Sequence, residues 1–262
     1  MARPADVPFN APIVERGVGF FETVLVAGRR AVLWERHVSR LVATLRRFSF
    51  PGPDRESLEG AAGAAVREAS LVAGEERALR LAWIAVGPDL EDPAAWRLDV
   101  SMRPIPESTL TRRAGCRVRT LPPWLRRDTP EVKSTSYFAP VVGLRMARGS
   151  GADEGLFTAP DGSYLEGTST SLIAWNDGRA VRALSWFLPS VTAAAFLSEG
   201  DATAPLTGEA LRAGSLLCGS LTLAVPIISL DGAPCVVPTE MEVRIREFNR
   251  RLLSDAALGT ML

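Results

Sequence analysis

Residues 132–175, VKSTSYFAPVVGLRMARGSGADEGLFTAPDGSYLEGTSTSLIAW, carry the features that decide the fold and the chemistry of this chain. They include Lys133, the single lysine among 30 lysine and arginine residues. A guanidinium stays charged and is a poor nucleophile, whereas a lysine amine can be tuned to attack a carbonyl. The retained lysine therefore suggests a reactive amine. A surface lysine kept by chance is the competing interpretation.

Periodicity in the same stretch predicts one helix followed by three short strands. Apolar residues recur at helical spacing over 136–149, and short segments typical of strands lie at 154–158, 164–166 and 171–175. Asp-Gly and Asn-Asp-Gly sequences mark turns after the first and the last of these strands. Lys133 is thus expected just before a helix, with the strands downstream of it.

The region upstream is predicted to be α+β with an antiparallel sheet. Gly19–Ala27 is rich in aromatic and β-branched residues, and 31–34 completes a hairpin with it. Two helices and two further strands follow, over 35–48, 55–73, 78–86 and 96–102. The helix over 35–48 is amphipathic, and prolines end it.

The stretch 104–113, PIPESTLTRR, opens with two prolines and shows no periodicity, so we predict a linker there. This divides the chain into an α+β domain over 1–108, a linker over 109–114 and a second domain over 115–262. Later elements of the second domain are strands over 116–121, 216–226 and 233–237 and helices over 191–198 and 240–253.

The composition limits the classes of binding partner that we expect. Lys plus Arg equals Asp plus Glu, the formal net charge is zero and 47% of residues are hydrophobic. We therefore expect no nucleic-acid or membrane partner. No apolar run is long enough to span a bilayer, and the first ten residues lack the apolar core of a signal peptide, so we predict a cytoplasmic protein. The three cysteines fit neither a zinc pattern nor a disulfide framework and are predicted to be small buried thiols.

Three stretches, in order, resemble the class IV aminotransferases, which are the fold-type IV pyridoxal-phosphate enzymes. They are RGVGFFETVLVAGRRAVLWERHVSRL at 16–41, the stretch at 132–175, and LPSVTAAAF with LCGSLTLAVPIISLDG within 188–232. The resemblance implies an α+β fold with a smaller N-terminal α/β domain and a larger C-terminal domain whose sheet is barrel-like. It also implies pyridoxal 5'-phosphate as cofactor, a small amine or amino-acid substrate, and a homodimer with the site in the interdomain cleft.

The resemblance assigns the central roles. Lys133 matches the Schiff-base lysine, which also shuttles protons at the reacting carbon. Glu166 matches the glutamate on the pyridine nitrogen, where a carboxylate keeps the ring protonated as an electron sink. Arg40 matches the arginine on the phosphate, since a planar fork suits a phosphate dianion. An exposed turn acid and a surface arginine are the competing interpretations for Glu166 and Arg40.

The remaining cofactor contacts follow in the same way. Val191 and Thr192 match residues whose backbone N–H groups hold the phosphate at a helix start. Ser220 matches a hydroxyl residue on the phosphate, and Tyr137 matches a tyrosine near the ring hydroxyl, although a packing role for Tyr137 stays open. No metal ligand is predicted.

Two aromatic or heterocyclic residues near these positions are assigned differently. His37 precedes Arg40 by three residues on one helix face, and we predict a structural, hydrogen-bonded role rather than a catalytic base. Phe21 matches a site-lining strand of the family.

The chain departs from the family pattern at several positions. The loop over 17–19 is shortened, Ser190 replaces the usual glycine, and Ala193 replaces the usual arginine. Leu223 stands where transaminases commonly carry a glutamate, and this apolar version resembles the lyases. The departures leave the cofactor set intact and open the question of substrate.

Three functions are compatible with this sequence. The leading one is 4-amino-4-deoxychorismate lyase, an enzyme of folate biosynthesis, which releases pyruvate to give 4-aminobenzoate. The alternative is an aminotransferase for D-amino or branched-chain amino acids, for which we find no group to hold the α-carboxylate. The third is a non-catalytic homologue that acts as a binding protein.

Overall fold

The structure is a computed structural model that describes residues 7–72 and 74–262. Its chain forms two compact units. The first contains the residues up to Pro104 together with Val132–Ser136 and Thr260–Leu262. The second contains Ile105–Glu131 and Tyr137–Gly259. The boundaries that we derived from the sequence stay a prediction. Residues 1–6, which bear on the signal-peptide prediction, lie outside the described residues.

The first unit is built on a five-stranded sheet with helices α1 (Pro12–Arg16), α2 (Trp34–Arg47) and α3 (Arg55–Ala69). Its strands are β1 (Gly19–Ala27), β2 (Arg30–Val32), β3 (Glu76–Ala85), β4 (Trp96–Pro104) and β14 (Gly259–Met261), in the order β14-β2-β1-β3-β4. The pairs β1–β2, β1–β3 and β3–β4 are antiparallel, as predicted.

The core of this unit lies between one face of the sheet and the helices. Alternate residues of β3, including Leu79 and Leu81, point to the same cluster as Leu41 and Leu45 of α2. The residues that lie between these in β1 and β3 therefore point to the other face of the sheet. That second face carries Phe21.

The predicted helix over 55–73 is too long at its C-terminal end. Ser70 adopts a left-handed conformation with φ of 50° and donates its backbone N–H to the Arg67 carbonyl at 3.1 Å, which ends α3 at Ala69. Ala73, the last residue of that prediction, lies outside the described residues.

The predicted linker over 104–113 contains helical structure. Residues Glu107–Thr111 form α4, and Arg112–Ala114 continue as a 3₁₀ turn. Pro106 supplies a fixed φ at the helix start, and Glu107 lies in the first turn, where an acid is favourable. The polar sequence misled the prediction because Thr109 and Arg112 are buried.

The second unit contains a sheet whose strands β5 (Cys116–Thr120), β6 (Glu154–Thr158), β7 (Tyr164–Gly167), β8 (Ser171–Asn176), β11 (Ser215–Gly219) and β12 (Leu223–Leu230) form a closed ring. The pairing of β7 with β8 at Glu166 and Ser171 closes that ring. Strands β9 (Arg179–Arg182) and β10 (Ala202–Thr203) extend the sheet from β8, and β13 (Ala233–Pro234) pairs with β12. The barrel-like sheet predicted for the larger domain is present.

Besides α4, this unit contains the helices α5 (Phe138–Gly149), α6 (Val191–Phe196), α7 (Gly208–Ala213) and α8 (Thr239–Ser254). The apolar face of α8 packs through Met241 and Ile245 on a cluster that also contains Ala193 and Phe196 of α6. The elements that carry the predicted phosphate contacts are thus fixed by a shared core.

The predicted strand over 216–226 is two antiparallel strands, β11 and β12, joined by the turn at 220–222. The turn is possible because Leu223 adopts φ of 65°, a left-handed conformation that is uncommon for a branched side chain. The predicted strand over 233–237 is shorter, covering only Ala233–Pro234, because the chain reaches Pro238 and begins α8. Strand β9 was not predicted.

Cys116 and Cys218 are buried free thiols, and Cys235 is partly exposed. Burial raises the pKa of the Cys116 thiol to about 12 and also raises the pKa of Cys218. Within residues 7–72 and 74–262, no group of three or more His, Cys, Asp or Glu residues is arranged to bind a metal ion, and no helix has the length and apolarity to cross a membrane.

Candidate active site

Lys133 lies in a short segment that pairs with β1 of the first unit. The Phe21 N–H donates to the Lys133 carbonyl at 3.0 Å, and the Thr135 N–H donates to the Gly19 carbonyl at 2.9 Å. The half-buried lysine places Nζ 4.4 Å from the centroid of the Phe21 ring. Its backbone is therefore fixed by a strand-like contact, and its amine lies over an aromatic face rather than in bulk solvent.

Two glycines in the loop over 17–19 allow this pairing. A Cβ at Gly17, whose φ is 66°, would approach Ser136 Oγ to 2.8 Å, and a Cβ at Gly19 would approach Thr135 Oγ1 to 2.9 Å. Thr135 Oγ1 donates to the Gly17 carbonyl at 2.5 Å. The two glycines therefore let the backbone next to Lys133 approach β1 closely.

A second cation lies on the same aromatic ring. The Arg80 guanidinium carbon is 4.2 Å from the Phe21 ring centroid. Phe21 pairs with Ala82 across β1 and β3, so Arg80, two residues before Ala82, lies on the same face of the sheet. Sequence reasoning missed Arg80 because 29 arginines give no individual signal. Strand alternation was the only available clue.

Glu22, next to Phe21 on β1, points to the opposite face and joins two residues of α2. Arg40 donates through Nε to Glu22 Oε1 at 2.8 Å and through Nη2 to Oε2 at 2.5 Å. His37 Nδ1 lies 2.7 Å from the same Oε2. Because a carboxylate only accepts, the histidine donates from Nδ1. His37 is thus buried and hydrogen-bonded, as we predicted.

The charges of this cluster follow from its burial. Burial alone would raise the pKa of Glu22, but Arg40 and His37 outweigh it and lower the pKa to about 2. Burial lowers the pKa of His37. Glu22 is thus an anion and His37 neutral at neutral pH, and two of the five N–H groups of Arg40 are held by Glu22. Sequence reasoning did not identify Glu22 as the partner of Arg40.

Glu166 is buried in the second unit at the end of β7. Arg127 Nη1 donates to its Oε1 at 2.7 Å, and the Leu188 N–H donates to its Oε2 at 2.9 Å. A glutamate with only 4% of its surface exposed and two donors is not an exposed turn acid. Arg127 was not predicted, since it lies 39 residues from Glu166 in a segment without periodicity.

Tyr137 lies near the same group. Its hydroxyl donates to the Thr168 carbonyl at 3.2 Å, two residues beyond Glu166, and Arg127 lies 6.0 Å from its ring centroid. The second unit therefore brings together Tyr137, Arg127 and Glu166.

The residues predicted to hold the phosphate lie at a helix start and a turn. Val191 and Thr192 are the first two residues of α6, where backbone N–H groups have no acceptor within the helix. Ser190 replaces the family glycine and caps the helix, because its Oγ accepts from the Ala193 N–H at 3.1 Å. Ser220 lies in the turn between β11 and β12, two strands whose Cys218 and Ala224 share a core with α6.

The chemistry of these groups suits pyridoxal phosphate. An amine is required for its aldehyde, a guanidinium with helix N–H groups and a hydroxyl for its phosphate, and a carboxylate for its pyridine nitrogen. Glu166 supplies a buried carboxyl group for the pyridine nitrogen, and Arg40 supplies a guanidinium for the phosphate. The residues present therefore fit the cofactor.

Comparison with known proteins decides the family. The family model for amino-transferase class IV matches residues 19–230. The chain belongs to the class IV aminotransferases. A hypothetical aminotransferase from Mycobacterium tuberculosis, solved with pyridoxal phosphate bound, is 26% identical, with a TM-score of 0.84 over 97% of this chain and 96% of that one. The predicted family, fold type and dependence on pyridoxal phosphate are therefore confirmed, and the non-catalytic alternative is set aside.

Two further matches are informative. A curated bifunctional aminodeoxychorismate lyase and D-amino acid transaminase from Mycobacterium tuberculosis is 31% identical over 175 residues, which cover 62% of this chain and 58% of that protein. A putative 4-amino-4-deoxychorismate lyase from Legionella pneumophila has a TM-score of 0.82 over 95% of this chain and 96% of its own, with 18% identity. The second match supports the fold alone.

Proposed function

We propose that this class IV enzyme is a 4-amino-4-deoxychorismate lyase. The observation that carries the proposal is its 31% identity to the bifunctional enzyme of Mycobacterium tuberculosis, whose name includes that activity. Leu223 adds support, because an apolar residue at this position resembles the lyases. Leu223 is 3% exposed, so an apolar side chain fills the buried position at the start of β12.

The proposed cofactor contacts are those of the sequence analysis. Lys133 would bind the aldehyde carbon, and Arg40 would bind the phosphate. Glu166 would bind the pyridine nitrogen, and Tyr137 would lie near the ring hydroxyl. Val191, Thr192 and Ser220 would complete the phosphate contacts. When bound, pyridoxal phosphate supplies an aldehyde that condenses with amines and a ring that accepts electrons from an adjacent bond.

Lys133 would act as the proton carrier of the lyase reaction. Its amine removes the proton from the substrate carbon that bears the amino group. The released electron pair makes the six-membered ring aromatic and expels the enolpyruvyl group at its C–O bond. A proton added to the enol carbon gives pyruvate, so that one substrate yields one pyruvate and one 4-aminobenzoate. Aromatisation drives the reaction, and the protein mainly positions the amine.

Arg80 is our candidate for holding a substrate carboxylate. It lies with Lys133 on the Phe21 ring, within the same unit, and its guanidinium carbon is 4.2 Å from the ring centroid. A guanidinium binds carboxylates in a bidentate manner, and the proposed substrate carries two of them.

Substitution of Arg80 by methionine is expected to raise KM about tenfold or more while kcat changes less, because a charged hydrogen bond to the substrate is lost. Steady-state kinetics on the holoenzyme measures both constants. Arg97→Met is the matched control, since it removes an arginine from the same sheet face, where Arg97 pairs with Asp99 at 3.1 Å. A KM that stays at the wild-type value in Arg80→Met would show that another group holds the carboxylate.

The second candidate is an aminotransferase, which the name of the same relative favours through its D-amino acid transaminase activity. It would use Lys133 as proton carrier in the same way but transfer the amino group to a keto acid. Branched-chain amino acids are the other substrate class that the family resemblance suggests.

A substrate panel on the purified holoenzyme separates these functions. With 4-amino-4-deoxychorismate, we expect equal amounts of pyruvate and 4-aminobenzoate, and slower exchange with D-alanine, L-leucine or 2-oxoglutarate. Pyruvate is followed by a coupled dehydrogenase, and the absorbance of the cofactor reports amino transfer. Amino transfer without release of pyruvate from 4-amino-4-deoxychorismate would reject the lyase and support the second candidate.

A further inference from the structure

Glu154, in the GADEG sequence of the second unit, is a fully buried acid with many donors. Thr168 donates to it through its hydroxyl and through its N–H at 3.1 Å, and Ser169 Oγ donates at 2.8 Å. Thr170 Oγ1 and Arg112 Nη1 donate at 3.4 Å each. One carboxylate therefore holds three successive residues of the turn at 167–170.

This turn adjoins or contacts two residues of the proposed site, Glu166 and Tyr137. It directly follows Glu166, and its Thr168 carbonyl accepts the hydroxyl of Tyr137 at 3.2 Å. The turn is closed by a hydrogen bond from the Gly167 N–H to the Thr170 carbonyl at 2.8 Å. A shift of the turn would therefore move both Glu166 and the tyrosine contact.

Arg112 connects the same carboxylate to a second turn. Its Nη2 donates to Thr222 Oγ1 at 2.9 Å, and its neighbour Arg113 donates to the Leu221 carbonyl at 3.0 and 2.6 Å. Leu221 and Thr222 belong to the turn at 220–222, which also contains Ser220. Both the Glu154 and Arg112 side chains are at least nine-tenths buried.

Such a buried pair is not explained by stability alone. Removing two charges from water costs about as much as their attraction returns, so well-packed apolar residues would serve as well. The pair does provide a fixed geometry. Glu154 accepts from the turn at 167–170, and Arg112 donates to the turn at 220–222. In the described residues, Arg112 Nε has no hydrogen-bond partner, which adds a cost that packing does not offset.

We propose that Glu154 and Arg112 are positioning residues that hold the turn after Glu166 and the turn of Ser220 in one framework. Glu154 orients the residues next to the carboxylate for the pyridine nitrogen, and Arg112 orients the turn with the hydroxyl for the phosphate. The inference rests on the proposed cofactor roles of Glu166 and Ser220. The Glu154–Arg112 ion pair would thus align the residues that contact the two ends of the cofactor.

Two local substitutions test the proposed roles of Arg112 and Glu154 separately. Thr222→Val removes the acceptor of Arg112 without changing side-chain size, and Ser169→Ala removes one donor to Glu154 from an exposed residue. Apoenzyme is titrated with pyridoxal 5'-phosphate and with pyridoxal, which lacks the phosphate, and visible absorbance and tryptophan fluorescence report binding. Asp153→Asn is the matched control, since the neighbouring Asp153 pairs with Arg117 at the surface.

The ratio of the two affinities is the decisive readout. Thr222→Val is expected to weaken pyridoxal 5'-phosphate about tenfold and pyridoxal much less, whereas Ser169→Ala weakens both by the same factor of about three. Thr222→Ser, which keeps the hydroxyl, is expected to restore the wild-type ratio, and Asp153→Asn to leave it unchanged. Thermal unfolding without cofactor confirms that each variant is folded.

Equal losses for both ligands in Thr222→Val, or no loss in either variant, would overturn the positioning role. A wild-type protein that does not distinguish the two ligands would instead contradict the phosphate site of the proposed function. The two failures are therefore separate in one data set.

Discussion

Lys133→Arg is expected to abolish turnover and the covalent attachment of pyridoxal phosphate. A positioned proton carrier contributes about 10²–10⁴-fold to rate, and the guanidinium can neither lose its proton nor condense with an aldehyde. The arginine keeps the positive charge over Phe21, which lies 4.4 Å from Nζ in the wild type, so the fold is expected to persist. Activity assays, borohydride reduction and peptide mass mapping measure the loss.

The single lysine makes this experiment unusually clear. In wild type, the reduced adduct can map to Lys133 or to the N-terminal amine and to no other primary amine of the chain. The control is Arg145→Lys, which adds a second lysine on an exposed position of α5 and is expected to leave the adduct at Lys133 alone. An adduct retained by Lys133→Arg, or turnover within tenfold of wild type, would refute the assignment of the reactive amine.

Glu22→Gln is expected to lower the free energy of unfolding at neutral pH by about 3 kcal/mol. A buried pair that loses one partner leaves an uncompensated charge, here that of Arg40, and such losses are about 3–5 kcal/mol. The pKa of Glu22, lowered from 4.5 to about 2, gives a similar size. Urea unfolding of both proteins measures the difference. The control is Glu35→Gln on α2, whose exposed pair with Arg55 is expected to contribute less than about 1 kcal/mol.

The pH dependence gives this prediction its signature. Because the folded-state pKa of Glu22 lies below the unfolded value, its stabilisation is present above pH 4.5 and is lost as the pH falls towards 2. The difference between wild type and Glu22→Gln should therefore shrink in acid. His37 acts in the same direction, since its lowered pKa means that stability falls as the pH drops below 6.5. A difference that stays constant down to about pH 3 would contradict the ion-pair origin.

The family and the cofactor of this protein were predictable from short stretches of its sequence. A lone lysine among arginines suggested a reactive amine, because an amine can be tuned to attack a carbonyl whereas a guanidinium cannot. The strand Gly19–Ala27 and the helix carrying His37 and Arg40 also followed from short-range periodicity. Family-like spacing then pointed to Glu166 within the same stretch of 44 residues.

Tertiary structure alone decided which groups meet. Glu22 binds Arg40 across 18 residues, Arg127 binds Glu166 across 39, and Arg112 reaches Thr222 across 110. The pairing of Lys133 with β1 and the two cations on Phe21 belong to the same class of contact. Sequence periodicity reports which face of an element is buried, but the partner of a buried charge is fixed by sheet register and by the packing of distant segments.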